Sequence, residues 1–175
     1  TGKGGRFKVT VSISNFVPKA HTPFQWEPQD STEEFRKKHE YLTERLRIKN
    51  VTYNYHDDEV STCEAVLARG DRRCSQLLLK AHEAGCKFDG WSEFFNREAW
   101  KNVLSEGNGE FYSQRRRSYD EVLPWDIIDS GVTKAYLMSE NDKARLGDVT
   151  PDCRQGCAGC GINSRVRCVQ GGSNE

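Results

Sequence analysis

Phe7 to Phe16 reads FKVTVSISNF and Val51 to Tyr55 reads VTYNY, and the chain between these stretches decides the fold class. In the first, Val9, Val11 and Ile13 alternate with Thr10, Ser12 and Ser14. In the second, Val51, Tyr53 and Tyr55 alternate with Thr52 and Asn54. A period of two is the pattern of a strand with one face covered. Between them, Ser31 followed three residues later by Glu34 forms a capping box. The helix it opens is expected to run to about Ile48, with Phe35, Leu42 and Leu46 near one face. Strand, helix, strand is the rhythm of a βαβ unit in an α/β protein. Pro18, Pro23 and Pro28 make Val17 to Pro28 an irregular loop. Two strands do not make a stable sheet by themselves. This start is therefore expected to pair with further sequence or to be held by helices.

After Tyr55 the pattern turns helical. Ser61 and Glu64 form a second capping box, opening a short helix that stops at Gly70. Asp71 caps the next, in which Cys74, Leu77, Leu78 and Ala81 form a stripe ending at Gly85. Asn96 caps a third through Trp100 to Leu104, and Thr133 to Leu146 is a fourth, stopped by Gly147. Trp91, Phe94, Phe95, Trp100 and Trp125 are read as core. Beyond Thr150-Pro151 no hydrophobic period remains, and Gly171 to Glu175 reads as a disordered end. The expected organisation is an α/β start over 1–58, a mostly helical region over 59–147 and a cysteine-rich irregular tail over 148–175.

Composition narrows the classes. Of 175 residues, 35% are hydrophobic and 30% charged, with a mean hydropathy of -0.80, so the fold exposes much polar surface and is expected to lean on a partner or a further segment. Net charge is zero, so no whole-chain field draws it to nucleic acid or anionic lipid. The longest apolar runs, such as Leu77 to Leu79, are far too short to cross a bilayer. Thr1 to Arg6 is polar and glycine-rich, without a signal-peptide core or an initiator Met, which reads as a piece of a longer cytoplasmic protein.

Seven cysteines are present, and three of them, Cys153, Cys157 and Cys160, fall within eight positions in DCRQGCAGCG. Without a secretion signal, that spacing reads as metal binding rather than disulfides. Gly156, Gly159 and Gly161 let the backbone wrap tightly around one centre, and Cys168 is a candidate fourth ligand. Thiolate sites suit an iron–sulfur cluster or zinc, and spacing alone does not choose between them. Cys63, Cys74 and Cys86 sit on apolar helical faces and read as core.

Five blocks carry a resemblance: VSISNFVPKAHTPFQWEPQ (Val11 to Gln29), EAVLARGDRR (Glu64 to Arg73), GCKFDGWSEFF (Gly85 to Phe95), SYDEVLPWDIIDSGV (Ser118 to Val132) and TPDCRQGCAGCG (Thr150 to Gly161). Together they resemble the carboxyl-terminal region of an uncharacterised group of radical SAM proteins with a cobalamin-binding domain. The resemblance implies that residues 1–58 end a partial βα barrel and that the amino-terminal part of the same protein completes it. It also implies S-adenosylmethionine, and by extension cobalamin, as cofactors of the full-length parent. The family's catalytic cysteine triad sits early in the barrel with an aromatic before its third Cys. Here Gly159 holds that place, so the tail is expected to carry an auxiliary cluster and the chain alone to be inactive. The substrate is not indicated.

Several other residues carry candidate roles. Lys19, His21 and Gln25, with Thr22 and Trp26, follow the first strand, at the end where barrel and open-sheet enzymes build their sites. His56 and Asp57, with Asp58 and Glu59, hold the equivalent place after the second strand and are suited to metal ligation or proton transfer. Arg69, Arg72 and Arg73 have the planar forks that grip phosphate or carboxylate. Arg115, Arg116 and Arg117 give a weak case for RNA. The rival to the enzyme reading is a zinc-stabilised, non-catalytic module that docks RNA or a partner protein.

Overall fold

The period-two stretches fold into strands β1 (Val9–Ile13) and β2 (Val51–Tyr55), joined by helix α1 (Thr32–Arg45). A computed structural model describes residues 7–166. The strands pair in parallel, with Val9 beside Val51 and Ile13 beside Tyr55. The register puts Val9, Val11, Ile13, Val51, Tyr53 and Tyr55 on one face and Thr10, Ser12, Thr52 and Asn54 on the other. The second face is exposed.

Ser31 Oγ accepts from Glu34 N–H at 3.2 Å, so the first cap forms as its residues dictate. Helix α1 ends at Arg45, three residues before the expected Ile48. Helix α2 (Asp58–Arg69) begins three residues before Ser61, because Asp57 is its cap. Asp57 Oδ1 accepts from Glu59 and Val60 N–H, both at 3.0 Å. Ser61 lies inside the helix and turns its hydroxyl back to Asp57 O at 2.7 Å. Then follow α3 (Cys74–Glu83), α4 (Arg97–Glu106, capped by Asn96), a five-residue α5 (Gly109–Ser113) and α6 (Lys134–Leu146, capped by Thr133 and ended at Gly147). The described residues form a mostly helical α/β fold.

Contacts divide the chain into two compact units. One holds the described chain up to Val17 and from Pro28 to Arg115, so it contains the sheet and α1 to α5. Its core gathers Cys63, Val66, Cys74, Leu77, Ala81, Cys86, Phe95, Trp100, Val103 and Tyr112. The three cysteines are packed as small hydrophobes, and burial pushes the Cys63 thiol up to about 12. Trp91 and Phe94, expected in the core, are 63% and 56% exposed. They sit in a non-helical turn before α4, so helical spacing did not apply to them.

The other unit holds Pro18 to Glu27 and the described chain from Arg116 onward. Its core is Trp26, Leu123, Trp125 and Leu137. Trp26 meets Tyr119 edge-on at 4.9 Å. Glu27 is clasped by Arg116 Nη2 at 2.6 Å and Arg145 Nη2 at 2.8 Å. Burial works against the Glu27 charge, but Arg116, Arg145 and Asn141 outweigh it and hold the carboxyl below its ordinary range. Among the described residues, no helix is long and apolar enough to cross a membrane.

Candidate functional site

Where β1 and β2 end, four elements bring polar side chains to one point. Asn15 follows β1, Tyr53 and Tyr55 come from β2, Asp58 and Ser61 from α2, and His39 from α1. His39 is 6% exposed. Its ring stacks on Tyr55, with centroids 3.9 Å apart. Its Nδ1 lies 2.8 Å from Tyr53 Oη, and its Nε2 lies 2.9 Å from Asn15 Oδ1 and 3.2 Å from Asp58 Oδ1.

The network fixes its own protons. Asn15 Nδ2 faces three acceptors: Asp58 Oδ1 at 3.0 Å, Ser61 Oγ at 3.1 Å and the His56 carbonyl at 3.3 Å. That sets the amide's orientation, so its oxygen faces His39 Nε2, which must donate. In the neutral ring Nδ1 then accepts from the Tyr53 hydroxyl. Burial, with the negative fields of Tyr55 and Asp58, pushes the Tyr53 phenol up, so it stays a proton donor. Carboxylate, imidazole and phenol thus stand in a chain along which a proton can pass.

His39 and Asn15 were not singled out from sequence. One signal existed: His39 lies four residues after buried Phe35, on the apolar face of α1. Of the residues that were singled out here, His56 is exposed, and its backbone carries its part, with N–H to Ile13 O at 3.3 Å. Asp57 caps α2 and pairs with Arg97 Nη2 at 2.5 Å. The Arg97 guanidinium, with the Val60 and Glu59 N–H groups, holds its carboxyl low against the opposing effect of burial.

The loop after β1 builds a separate arrangement in the second unit. Gln25 is 3% exposed, and its Oε1 accepts from Trp125 Nε1 at 2.6 Å and from the His21 N–H at 3.0 Å. His21 has φ +56°, a left-handed conformation costly outside glycine and asparagine, and its buried Nε2 has no hydrogen-bond partner. Lys19 is exposed, and its carbonyl accepts from Thr22 Oγ1 at 2.8 Å.

The candidate arginines are drawn into internal contacts. Arg69 is fully buried and donates to Tyr112 O at 3.0 Å and Arg115 O at 3.2 Å. Arg73 folds onto Asp71, with Nη2 to Oδ2 at 2.6 Å, while Arg72 is exposed. Arg115 lies over the Phe111 ring and Arg117 over Trp125.

In the tail, Cys153 and Cys157 are exposed and Cys160 is partly covered; Cys168 lies outside the described residues. Cys160 is anchored: its carbonyl accepts from Thr133 N–H at 2.9 Å, at the cap of α6. Gly161 has φ +97°, and a Cβ there would stand 2.5 Å from Thr133 Cγ2, so only glycine permits this approach. Tyr136, in the first turn of α6, is pushed up by burial first, then by Glu140, Cys160 and Cys153. Among the described residues, no three His, Cys, Asp or Glu side chains form a group that could hold a metal ion.

No protein-family model matches the chain, and no solved structure matches it. The chain is similar to uncharacterized protein MJ0966 of Methanocaldococcus jannaschii, 28% identical over 109 residues, a match covering 55% of this chain and 24% of that protein. The chain thus spans about a quarter of the length of the curated relative it matches.

Proposed function

We propose that the chain is the carboxyl-terminal part of a radical SAM iron–sulfur enzyme. In this reading β1–α1–β2 is the last portion of its βα barrel, and Cys153, Cys157 and Cys160, with Cys168, seat an auxiliary cluster. The observation that carries the reading is the parallel pair β1–β2, with His39 of α1 against Tyr53 and Tyr55 on one face and an exposed polar face of Thr10, Ser12, Thr52 and Asn54. Parallel strands are ordinarily covered on both faces. A face of hydroxyls and an amide suits the lumen of a barrel closed by further strands of the parent protein. The five-block resemblance supports the same reading and is its source for S-adenosylmethionine and cobalamin.

The donor set of the tail fits the cluster chemically. Soft thiolates match iron–sulfur, and Gly156, Gly159 and Gly161 all have positive φ, giving the tight turns a small inorganic centre needs. A bound cluster would supply electron relay or a site for substrate ligation. The protein's own part is to hold Cys160 against α6, whose first turn carries the favourable end of the helix dipole for a thiolate. S-adenosylmethionine cleavage is assigned to the rest of the parent, since this tail lacks the aromatic of the catalytic motif.

Anaerobic reconstitution with ferrous iron and sulfide tests the reading. A thiolate-to-iron charge-transfer band is expected, lost in Cys153→Ser, Cys157→Ser and Cys160→Ser and kept in Cys63→Ser. Equal spectra in all four variants would sink it, as would a protein that takes up zinc and refuses iron.

A further inference from the structure

In the unit that contains the sheet, a second feature is independent of the cysteine tail: a groove of about 480 Å³ lined from α2, α4 and α5. That volume is in the range of small-molecule sites. Its deepest lining is aromatic. Phe95 and Trp100 are 8% and 4% exposed and lie parallel, with centroids 6.4 Å apart; Leu104 extends the apolar wall. The Trp100 indole N–H is buried without a hydrogen-bond acceptor. A buried unmet donor is rare, because it forgoes a hydrogen bond that water would have given it.

The charged groups on the rim divide into two kinds. Glu59 and Arg97 neutralise each other at 2.9 Å. Lys101, on α4, and Glu110, on α5, both line the groove, and neither side chain makes a hydrogen bond or ion pair among the described residues. Asn108 and Gln114 add two amides in the same condition, and Asn108, although at the cap position of α5, does not use its side chain as a cap. Among the described residues, the unpaired charged and amide groups of the lining are therefore one cation, one anion and two amides, beside an indole donor and an apolar wall.

We infer that this groove binds a small zwitterion with an apolar body, of the free α-amino-acid class. The ligand carboxylate meets Lys101, its ammonium meets Glu110, and its side chain packs on Trp100 and Leu104. A ligand of one sign would leave one rim charge facing its own kind, whereas a zwitterion answers both. An uncharged apolar ligand would answer neither.

The test is saturation binding of L-phenylalanine to the whole chain by ligand-observed NMR, with N-acetyl-L-phenylalaninamide as the uncharged control. The amino acid is expected to saturate in the millimolar range or below, with the control about tenfold weaker or more. Lys101→Gln and Glu110→Gln, both at exposed positions that leave the core intact, are each expected to weaken it about tenfold. The Trp100 indole N–H resonance should move on binding, a response that a purely structural tryptophan would not give. Absence of saturable binding, equal affinity for the capped analogue, or indifference to both substitutions each overturns the assignment. None of these outcomes bears on the cysteine tail.

Discussion

His39 holds three elements together by two nitrogens. Nε2 donates towards Asn15 and Asp58, and Nδ1 pairs with Tyr53, so the Asn15 oxygen and the Tyr53 hydroxyl rely on the ring, while Asp58 also accepts from Asn15. His39→Ala is expected to cost about 2–4 kcal/mol in urea unfolding, since it leaves the buried Asn15 oxygen without its donor and removes the ring stacked on Tyr55. Tyr53→Phe removes one bond and should cost about 1 kcal/mol. A His39→Ala protein as stable as the parent would show that water replaces the ring without loss. The acid limb belongs to this scale too. Glu27 and Asp57 both have folded-state values below their ordinary ones. Such groups bind fewer protons folded than unfolded, so their stabilisation is present above the ordinary carboxylate range and fades as pH falls through the lowered values. Melting temperature should therefore drop below about pH 5, and Glu27→Gln should flatten that drop. His39 stayed hidden in the sequence because its partners are distant: Asn15 is 24 positions away, and only the fold sets them side by side.

At the scale of elements, signals confined to one turn were legible. Ser31 and Asn96 cap the helices their positions announce, and Gly147 ends α6 in the left-handed conformation, whereas Asp71, read as the cap of α3, yields that place to Arg73, which makes no side-chain cap bond. Ser61 was read as a cap because Ser-x-x-Glu recurs inside helices rich in serine and acids. Asp57, four residues earlier, is the stronger acceptor and takes the role. Asp57→Ala should cost about 1–2 kcal/mol by chemical denaturation, from the cap and the pairing with Arg97. Helix α5 escaped notice because it is five residues long and opens on Gly109. The tail's seat on α6 gives a further expectation. Gly161→Ala places a methyl into Thr133, so the Thr133 amide, which donates to Cys160, should exchange with solvent faster while the cores keep their protection. Unchanged exchange at Thr133 would mean the tail is held by other contacts.

The whole molecule is a pair of cores, one built on α2 to α5 and one on α6 with the segment around Trp26. Helical content and a βαβ start could be read from periodicity, which depends on neighbours in sequence. The division into units could not, because Pro18 to Glu27 leaves the chain on either side of it to join residues about a hundred positions later, as in the bond from Trp125 to Gln25. The parallel pair with its bare polar face is what gives a barrel-end reading physical content, and the thiol tail is what gives it chemistry. Iron and acid-labile sulfide per chain, determined on protein purified without oxygen, test that chemistry most directly. The account predicts both in matching, near-stoichiometric amounts, and neither when Cys153, Cys157 and Cys160 are all serine. Zinc in place of iron, or no metal and three freely alkylated sulfurs in a protein that stays folded, would contradict it.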